Sequence, residues 1–399
     1  MSAVSATSAV SASTIVYDPY APDLRENPYP VYRYLRDEAP VYRHPHKGFF
    51  VVSRFADVLE TLYDFETYKS GAGITLEGLP PDVQPEMITM DPPRHDELRA
   101  LVKRAFTPRA ISALEPRVYE IARSLVADLD PDSFDLVQDV GGLVPSAVIA
   151  EMLGIPLSDR PLFREWIEVL IRRKPDEPDT IAAARAASAE LSEYLARQIA
   201  ARRPEATDDL IGYSVRVADE SGAMNDEELL GFVRLLLVAG NETTINLIGN
   251  AFLTLARHPD ERARVAADPG LTPGAVEEVL RFESPVPQLC RTTTRDLVRH
   301  DVEIPAGSVL VMVFAAGNRD EREFDEPDRF DVTRRVDRHL ALGHGIHHCL
   351  GAALARLQAR ASIDAVLERF PNYEITTETI EMLPSGHARG PVSLPAAAR

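Results

Sequence analysis

The sequence predicts a mainly α-helical fold with a small β-rich part, and three observations carry that reading. Amphipathic or apolar segments of helical spacing dominate, at about 94–106, 109–129, 141–153, 180–202, 226–257, 273–283 and 350–369. Strand-like pieces are short: 40–43 with 48–53, then 291–299, 302–304, 308–312 and the C-terminal tail. No internal repeat, low-complexity linker or abrupt change of composition follows residue 15, which favours one compact body over a string of domains. The first 14 residues, MSAVSATSAVSAST, are small, polar and repetitive, with neither the basic start nor the apolar stretch of a secretory signal. They read as a disordered tail, 1–14, ahead of a folded domain at 15–399.

Composition narrows the classes of function. Of 399 residues 45% are hydrophobic, enough for a large core, and no apolar run approaches the ~20 residues that span a bilayer. A net charge of -19 argues against nucleic acid or anionic lipid as a general partner, because phosphates are met by Lys and Arg. It leaves room for a local basic patch that docks an acidic protein. The 2 cysteines lie far apart in sequence, which points to free thiols in a reducing cytoplasm. A monomer is expected.

The segment Asp226–His258 is the most informative helix. Asn225 or Asp226 can cap it, Glu227 and Glu228 suit the positive end of its dipole, and Pro259 marks its stop. At ~1.5 Å per residue it is a rod long enough to cross a whole domain. Its middle, Phe232 to Ala239, is dominated by apolar residues and is expected to run through the interior. Gly240, Asn241, Glu242, Thr243 and Thr244 then interrupt the apolar pattern, which resumes at Ile245, Leu247, Ile248 and Phe252. Burying a carboxylate and hydroxyls costs free energy unless they are paired, solvated or used. A polar break inside a buried helix therefore suits a functional site better than a helix end.

The second informative stretch is His339-Leu-Ala-Leu-Gly-His-Gly-Ile-His-His-Cys349-Leu-Gly351, which leads into a helix. Gly343 and Gly345 permit a tight bend that can approach a flat ligand. Cys349 stands at the mouth of the helix, where free N–H groups are expected to favour a thiolate. Such a thiolate can hold haem iron. The same loop offers a rival: His344, His347 or His348 and Cys349 carry the atoms of a zinc site, although adjacent ligands rarely converge on one tetrahedral ion.

At this point the chain resembles a known family. The loop is similar to the haem-binding signature of bacterial-type soluble cytochromes P450, F-x-x-G-x-H-x-C-x-G, with Gly345, His347, Cys349 and Gly351 in register and Leu342 in place of the usual aromatic. Ala239-Gly240-Asn241-Glu242-Thr243-Thr244 resembles the family's oxygen-activation motif, and Glu278-Val-Leu-Arg281 its E-x-x-R motif. Pro327-Asp-Arg-Phe330 is similar to the segment whose arginine completes that ion network, a role the resemblance gives to Arg329, with Arg334 as a substitute. Met90-Asp-Pro-Pro-Arg-His95-Asp-Glu-Leu-Arg99 resembles the helix whose His and Arg contact a haem propionate, and Arg291 matches another propionate arginine. The likeness runs from about Asn27 to the C-terminus.

The resemblance implies the cytochrome P450 fold, a single haem-containing body with a long helix over the haem, and haem b (iron protoporphyrin IX) as cofactor. It implies Cys349 as the iron ligand and His95, Arg99, Ala239, Gly240, Arg291, His347, Cys349 and Gly351 around the haem. It further implies a monooxygenase: one atom of O2 enters a small hydrophobic substrate, the other leaves as water, and electrons arrive from a separate ferredoxin and reductase using NAD(P)H. Thr243 and Glu242 are the expected proton-handling pair, with the Thr243 hydroxyl also able to back-bond to the Ala239 carbonyl and open the helix locally. Substrate contacts are expected from Ile74, Leu79, Ile88, Val238, Asn241, Val286, Leu289 and Leu383, and a basic docking patch from Arg99, Lys103, Arg104, Arg109, His344 and Arg356. The rival functions are a peroxide-driven haem enzyme and a non-catalytic haem-binding ligand carrier.

Overall fold

The computed structural model describes residues 15–80, 83–156, 158–171, 177–205 and 207–399, so the expected tail 1–14 lies outside the described residues. The helices of nine residues or more are α1 (Tyr29–Asp37), α2 (Phe55–Tyr63), α3 (Arg94–Val102), α4 (Glu115–Ala127), α5 (Leu143–Met152), α6 (Arg160–Ile171), α7 (Pro178–Arg202), α8 (Leu210–Ser221), α9 (Asp226–Arg257), α10 (Pro259–Ala267), α11 (Thr272–Phe282) and α12 (Ala352–Arg369). The main sheet holds β1 (Val41–Arg43), β2 (Phe50–Val52), β3 (Tyr68–Lys69), β4 (Leu289–Thr293) and β5 (Val309–Met312), in the spatial order β1-β2-β5-β4-β3. The pair β2–β5 is parallel and the other neighbours are antiparallel. The class is therefore mainly α with a small β part, as the sequence predicts.

Helix α9 is the axle of the helical part, packing against α5, α7, α8, α11 and α12, while α12 also packs along α4. A reciprocal capping box starts α9: Glu228 N donates to Asn225 Oδ1 (2.9 Å) and Asn225 N to Glu228 Oε2 (3.0 Å). Its C-terminal half, from Asn246 to Leu255, is buried throughout. The large core gathers α4, α5, α7 to α9, α11 and α12, and a second cluster fills the space between the main sheet and α2. No helix of the described residues is long and apolar enough to cross a membrane.

Several expected elements differ in detail. The segment 109–129 is two helices, Pro108–Ser112 and α4, because Pro116 has no N–H to extend a helix and sits instead in the first turn of the second. The helix at 94–106 is α-helical to Val102 and tightens to a 3₁₀ turn over Lys103–Phe106. The strand 291–299 divides into β4 and a hairpin of Leu297–Arg299 with Val302–Ile304. His300 (φ 48°) and Asp301 (φ 60°) turn that hairpin in left-handed conformations, without the glycine that would have marked it. The apolar middle of α9 is broken by Arg234, which pairs outward with Glu86 (2.6 Å). Helices α1, α2, α6, α8 and α10 lie outside the segments expected from the sequence, although Asp209 caps α8 and Pro259 opens α10.

Candidate active site

The cysteine loop is built by glycine geometry. Gly343 and Gly345 both have φ of 66°, and a Cβ on Gly345 would lie 2.5 Å from the Leu62 carbonyl oxygen of α2. A short turn over Gly345–His347 follows, Cys349 N donates to the Leu342 carbonyl (2.8 Å), and Gly351 caps α12. The thiol was expected to be acidified by the helix mouth, and the structure corrects this. Burial pushes the Cys349 pKa up and outweighs the Gly351 N–H at the helix mouth, Arg99 and Arg356, each of which favours the thiolate. Coordination to a metal ion would reverse that balance by deprotonating the thiol outright. Both cysteines are free thiols, and burial drives the Cys290 pKa to about 12.

The histidines of the loop face apart rather than towards one ion. His344 Nε2 lies 2.9 Å from the His339 carbonyl oxygen, whereas His347 Nε2 is 3.2 Å from Ser70 Oγ. Among the described residues no three His, Cys, Asp or Glu side chains are placed to hold a metal ion by themselves.

Four candidate propionate ligands come together from three parts of the chain. The rings of His95 on α3 and His347 in the loop lie 4.3 Å apart. Arg291 on β4 is buried, donating Nη1 to the Cys290 carbonyl (2.8 Å), and its pKa falls to about 10 through burial, with Asp91 the largest opposing influence. His347 is pulled down to about 3, first by burial and then by Arg291, His95 and Arg99. Asp91 is itself spent on backbone, accepting from Ser70 N (2.9 Å) and Gly71 N (3.0 Å). Arg99 donates to the His348 carbonyl. Two buried groups, His95 and Arg291, and two half-buried ones, Arg99 and His347, thus gather guanidinium charge and imidazole donors suited to a dianionic ligand.

On α9, Val238, Ala239 and Gly240 are exposed in the middle of a helix whose following turns are buried. A Cβ on Gly240 would meet no atom within 4 Å. Thr243 Oγ1 donates to the Ala239 carbonyl (2.8 Å) and Thr244 Oγ1 to the Gly240 carbonyl (2.9 Å). The back-bond to Ala239 thus forms as expected, but without opening the helix, which stays α-helical from Asp226 to Arg257. Glu242 is half-buried and has no ion-pair partner among the described residues.

The expected substrate contacts divide. Ile74, Leu79, Ile88, Val286 and Leu289 are half-buried, and Val238 is exposed on α9. Asn241 departs from the expectation: it is 1% exposed and accepts from Ser146 Oγ (3.2 Å), so it faces α5. A 100° step per residue puts Asn241 about 160° from Ala239 but only about 60° from Val238, so the exposed arc ends beside it. Leu383 lines a small separate cleft with Leu24, Tyr32, Gln288 and Arg389.

The E-x-x-R pair is fully buried. Arg281 Nε and Nη2 donate to the two Glu278 oxygens (both 2.7 Å), and Nη1 donates to the Asn318 and Pro327 carbonyls (2.9 Å each). The third member expected was Arg329, and this is corrected. Its guanidinium is 58% exposed and pairs with Glu326 and Asp331. Arg334 reaches Glu278 instead (3.2 Å), since three further bonds to the Asp325, Glu326 and Arg329 carbonyls steer it inward. A second network was missed in the sequence: Glu277 accepts from Arg356 (2.6 and 2.9 Å) and lies 3.2 Å from His339 Nε2. Its neighbour Glu278 belongs to the motif, but nothing in the spacing marks Glu277 as paired with residues sixty or more positions away.

Iron protoporphyrin IX fits this donor set. Cys349 supplies a thiol at the start of α12, and the cluster of His95, Arg99, Arg291 and His347 suits two carboxylates. His95 Nε2 is buried with no hydrogen-bond partner, and a Cβ on Gly351, like one on Gly240, would meet nothing within 4 Å. Comparison with known proteins agrees. The cytochrome P450 family profile matches residues 22–268 and 270–391. A putative cytochrome P450 123 of Mycobacterium tuberculosis is 39% identical over 389 residues, covering 96% of each chain. A vitamin D(3) 25-hydroxylase of Pseudonocardia autotrophica is 39% identical over 399 aligned positions, covering 96% of this chain and 98% of that one. The solved structure of cytochrome P450 CYP109Q5 from Chondromyces apiculatus superposes with a TM-score of 0.88 at 37% identity, covering 96% of this chain and 98% of that one. The chain belongs to the cytochrome P450 family, and it is a haem-dependent monooxygenase.

Proposed function

We propose that this monooxygenase oxidises a small, largely apolar molecule, by hydroxylation, dealkylation or epoxidation, with electrons from a separate ferredoxin and reductase in the cytoplasm. The observation that carries the reading is the exposed arc Val238–Ala239–Gly240 in mid-helix, followed at once by Glu242 and Thr243. Haem supplies the activation of dioxygen; the residues of this chain bind, orient and handle protons. Cys349 holds the iron, and His95, Arg99, Arg291 and His347 hold the propionates. Val238, with Ile74, Leu79, Ile88, Val286 and Leu289, offers an apolar wall that excludes water around the substrate. The Thr243 hydroxyl, released from the Ala239 carbonyl, presents a proton to the space above Ala239 and Gly240, and Glu242 passes protons to it from solvent.

The electron donor is read from charge. Lys103, Arg104 and Arg109 are exposed and have no ion-pair partner among the described residues. Arg99 and Arg356 turn inward, to the His348 carbonyl and Glu277, and are left out of the docking patch expected for them. The test is turnover with NAD(P)H and a ferredoxin chain on a panel of apolar substrates. Thr243→Ala is expected to keep consuming NAD(P)H while product falls and peroxide rises. A variant as coupled as the wild type refutes the role of Thr243, and turnover driven equally well by peroxide alone refutes the need for a ferredoxin.

A further inference from the structure

The stretch Tyr17–Tyr20 takes no part in the site described, yet it touches the segment between Val286 and Leu289, the turn after Leu383 and the loop that carries Ile74 and Leu79. Tyr17 is fully buried, and its hydroxyl donates to Gln288, between Val286 and Leu289. Gln288 Nε2 donates in turn to the Gly386 carbonyl (2.7 Å), in the turn after Leu383. Gly386 packs so closely under Tyr20 that a Cβ would lie 2.7 Å from its ring carbons. The Tyr20 hydroxyl donates to Glu77, in the loop that carries Ile74 and Leu79.

That loop is a compact unit with one fixed end. Leu79 N donates to the Ala72 carbonyl (2.9 Å) and Gly78 N to the Thr75 carbonyl (3.1 Å). Gly73, at φ 111°, lies so near Gly78 that a Cβ would meet its backbone at 2.5 Å. The Ile74 carbonyl accepts from Cys290 N (2.8 Å), tying the inner end of the loop to β4. On the outer side Glu77 is held by Tyr20 and by Thr75, with His387 contributing attraction. Burial disfavours its charge, and these partners together hold the carboxyl below its usual range. Thr75 belongs to the loop itself, whereas the Tyr20 bond, with the attraction of His387, joins this carboxylate to separate parts of the chain.

We propose that Tyr20 and Glu77 are positioning residues forming a latch that holds the loop 72–79 closed over the substrate site, and that substrate passes when their hydrogen bond opens. The proposal rests on the reading of Ile74 and Leu79 as substrate contacts. A partly exposed phenol–carboxylate bond suits this use: it is strong enough to set the closed state and reachable by water when it breaks. The Tyr17–Gln288 bond, fully buried, serves to anchor the strap.

The test is stopped-flow binding of 4-phenylimidazole to the holoenzyme, followed by the Soret shift. Tyr20→Phe and Glu77→Ala are expected to raise both association and dissociation rates about five- to tenfold, the equivalent of one lost hydrogen bond, with Kd within about twofold. Glu77→Gln, whose amide oxygen still accepts from the phenol, should recover part of the slow exchange. Tyr17→Phe should lower Tm without altering the rates. Wild-type rates in both Tyr20→Phe and Glu77→Ala would overturn the latch, whatever their Tm, and leave the site intact. Leu79→Phe separates the two readings: if it leaves azole binding unchanged, the loop is not at the site and the latch falls with it.

Discussion

Replacing Arg334 by alanine should destabilise the protein by about 3 kcal/mol, while Arg329→Ala costs under about 1 kcal/mol. The difference follows from where each guanidinium lies. Arg334 is 15% exposed and gives a charge-assisted bond to Glu278, which is wholly buried. A bond of that kind contributes about 1.5–3 kcal/mol, and the three bonds to carbonyls nearer the solvent add roughly 0.5 kcal/mol each. Part of this is offset, because Arg281 still neutralises Glu278. Arg329, at 58% exposure, pairs with a Glu326 that is 71% exposed, and solvent screens such pairs almost completely. Its useful contact is its backbone carbonyl, which accepts from Arg281 (3.3 Å) and survives truncation of the side chain. Unfolding entropy of about 2.1 cal/mol/K per residue turns 3 kcal/mol into a fall in Tm of about 4 °C for a chain of this length. Arg329→Ala should shift it by about 1 °C or less. Thermal unfolding of both variants, followed by circular dichroism and Soret absorbance, checks this. Equal losses, or a larger one for Arg329→Ala, would refute the assignment of Arg334 to the buried network.

Three further outcomes follow from the same geometry. Glu277 has a folded pKa of about 2 because Arg356 and His339 outweigh the burial that opposes its charge. A depressed carboxylate pKa contributes stability that is complete above the unfolded value near 4.5 and is lost as pH falls towards 2. The stability of the wild type should therefore fall more steeply with pH than that of Glu277→Gln over that window, by at most about 3 kcal/mol in total, read as a larger drop in Tm; parallel curves would remove Glu277 from the acid response. Gly345→Ala forces a Cβ against the Leu62 carbonyl in a left-handed conformation, and should abolish a stable holoprotein by more than about 2 kcal/mol of strain; purification of that variant with a full complement of haem would contradict the close approach. Gly240→Ala meets no atom and stands in a helix interior, so it should stabilise the protein by up to about 1 kcal/mol and raise Tm slightly, while slowing the binding of bulky azoles. A variant that is destabilised instead would show that the exposed arc of α9 is packed.

Much of the site was legible because it depends on local rules. Gly343 and Gly345 marked a tight bend before Cys349, the three-residue interval of Glu278 and Arg281 put both on one helical face, and a polar break marked the stretch Gly240–Thr244, within which the family resemblance singled out Thr243. The sequence by itself determined which residue types stand ready: a thiol before a helix, a capping box at Asn225 and Glu228, a long helix ended by Pro259. Tertiary structure decided which way they face. Asn241 stands between Gly240 and Glu242 in sequence, yet the 100° step of the helix turns it towards Ser146. Arg329 and Arg334 are five residues apart with the same chemistry, and only the path of the loop selects the one that reaches Glu278. The thiol at Cys349 was legible as a residue but not as a pKa, because burial is a property of everything packed around it. Local propensity and spacing act along the chain, whereas desolvation and ion pairing act through space, and their outcome exists only once the chain has folded.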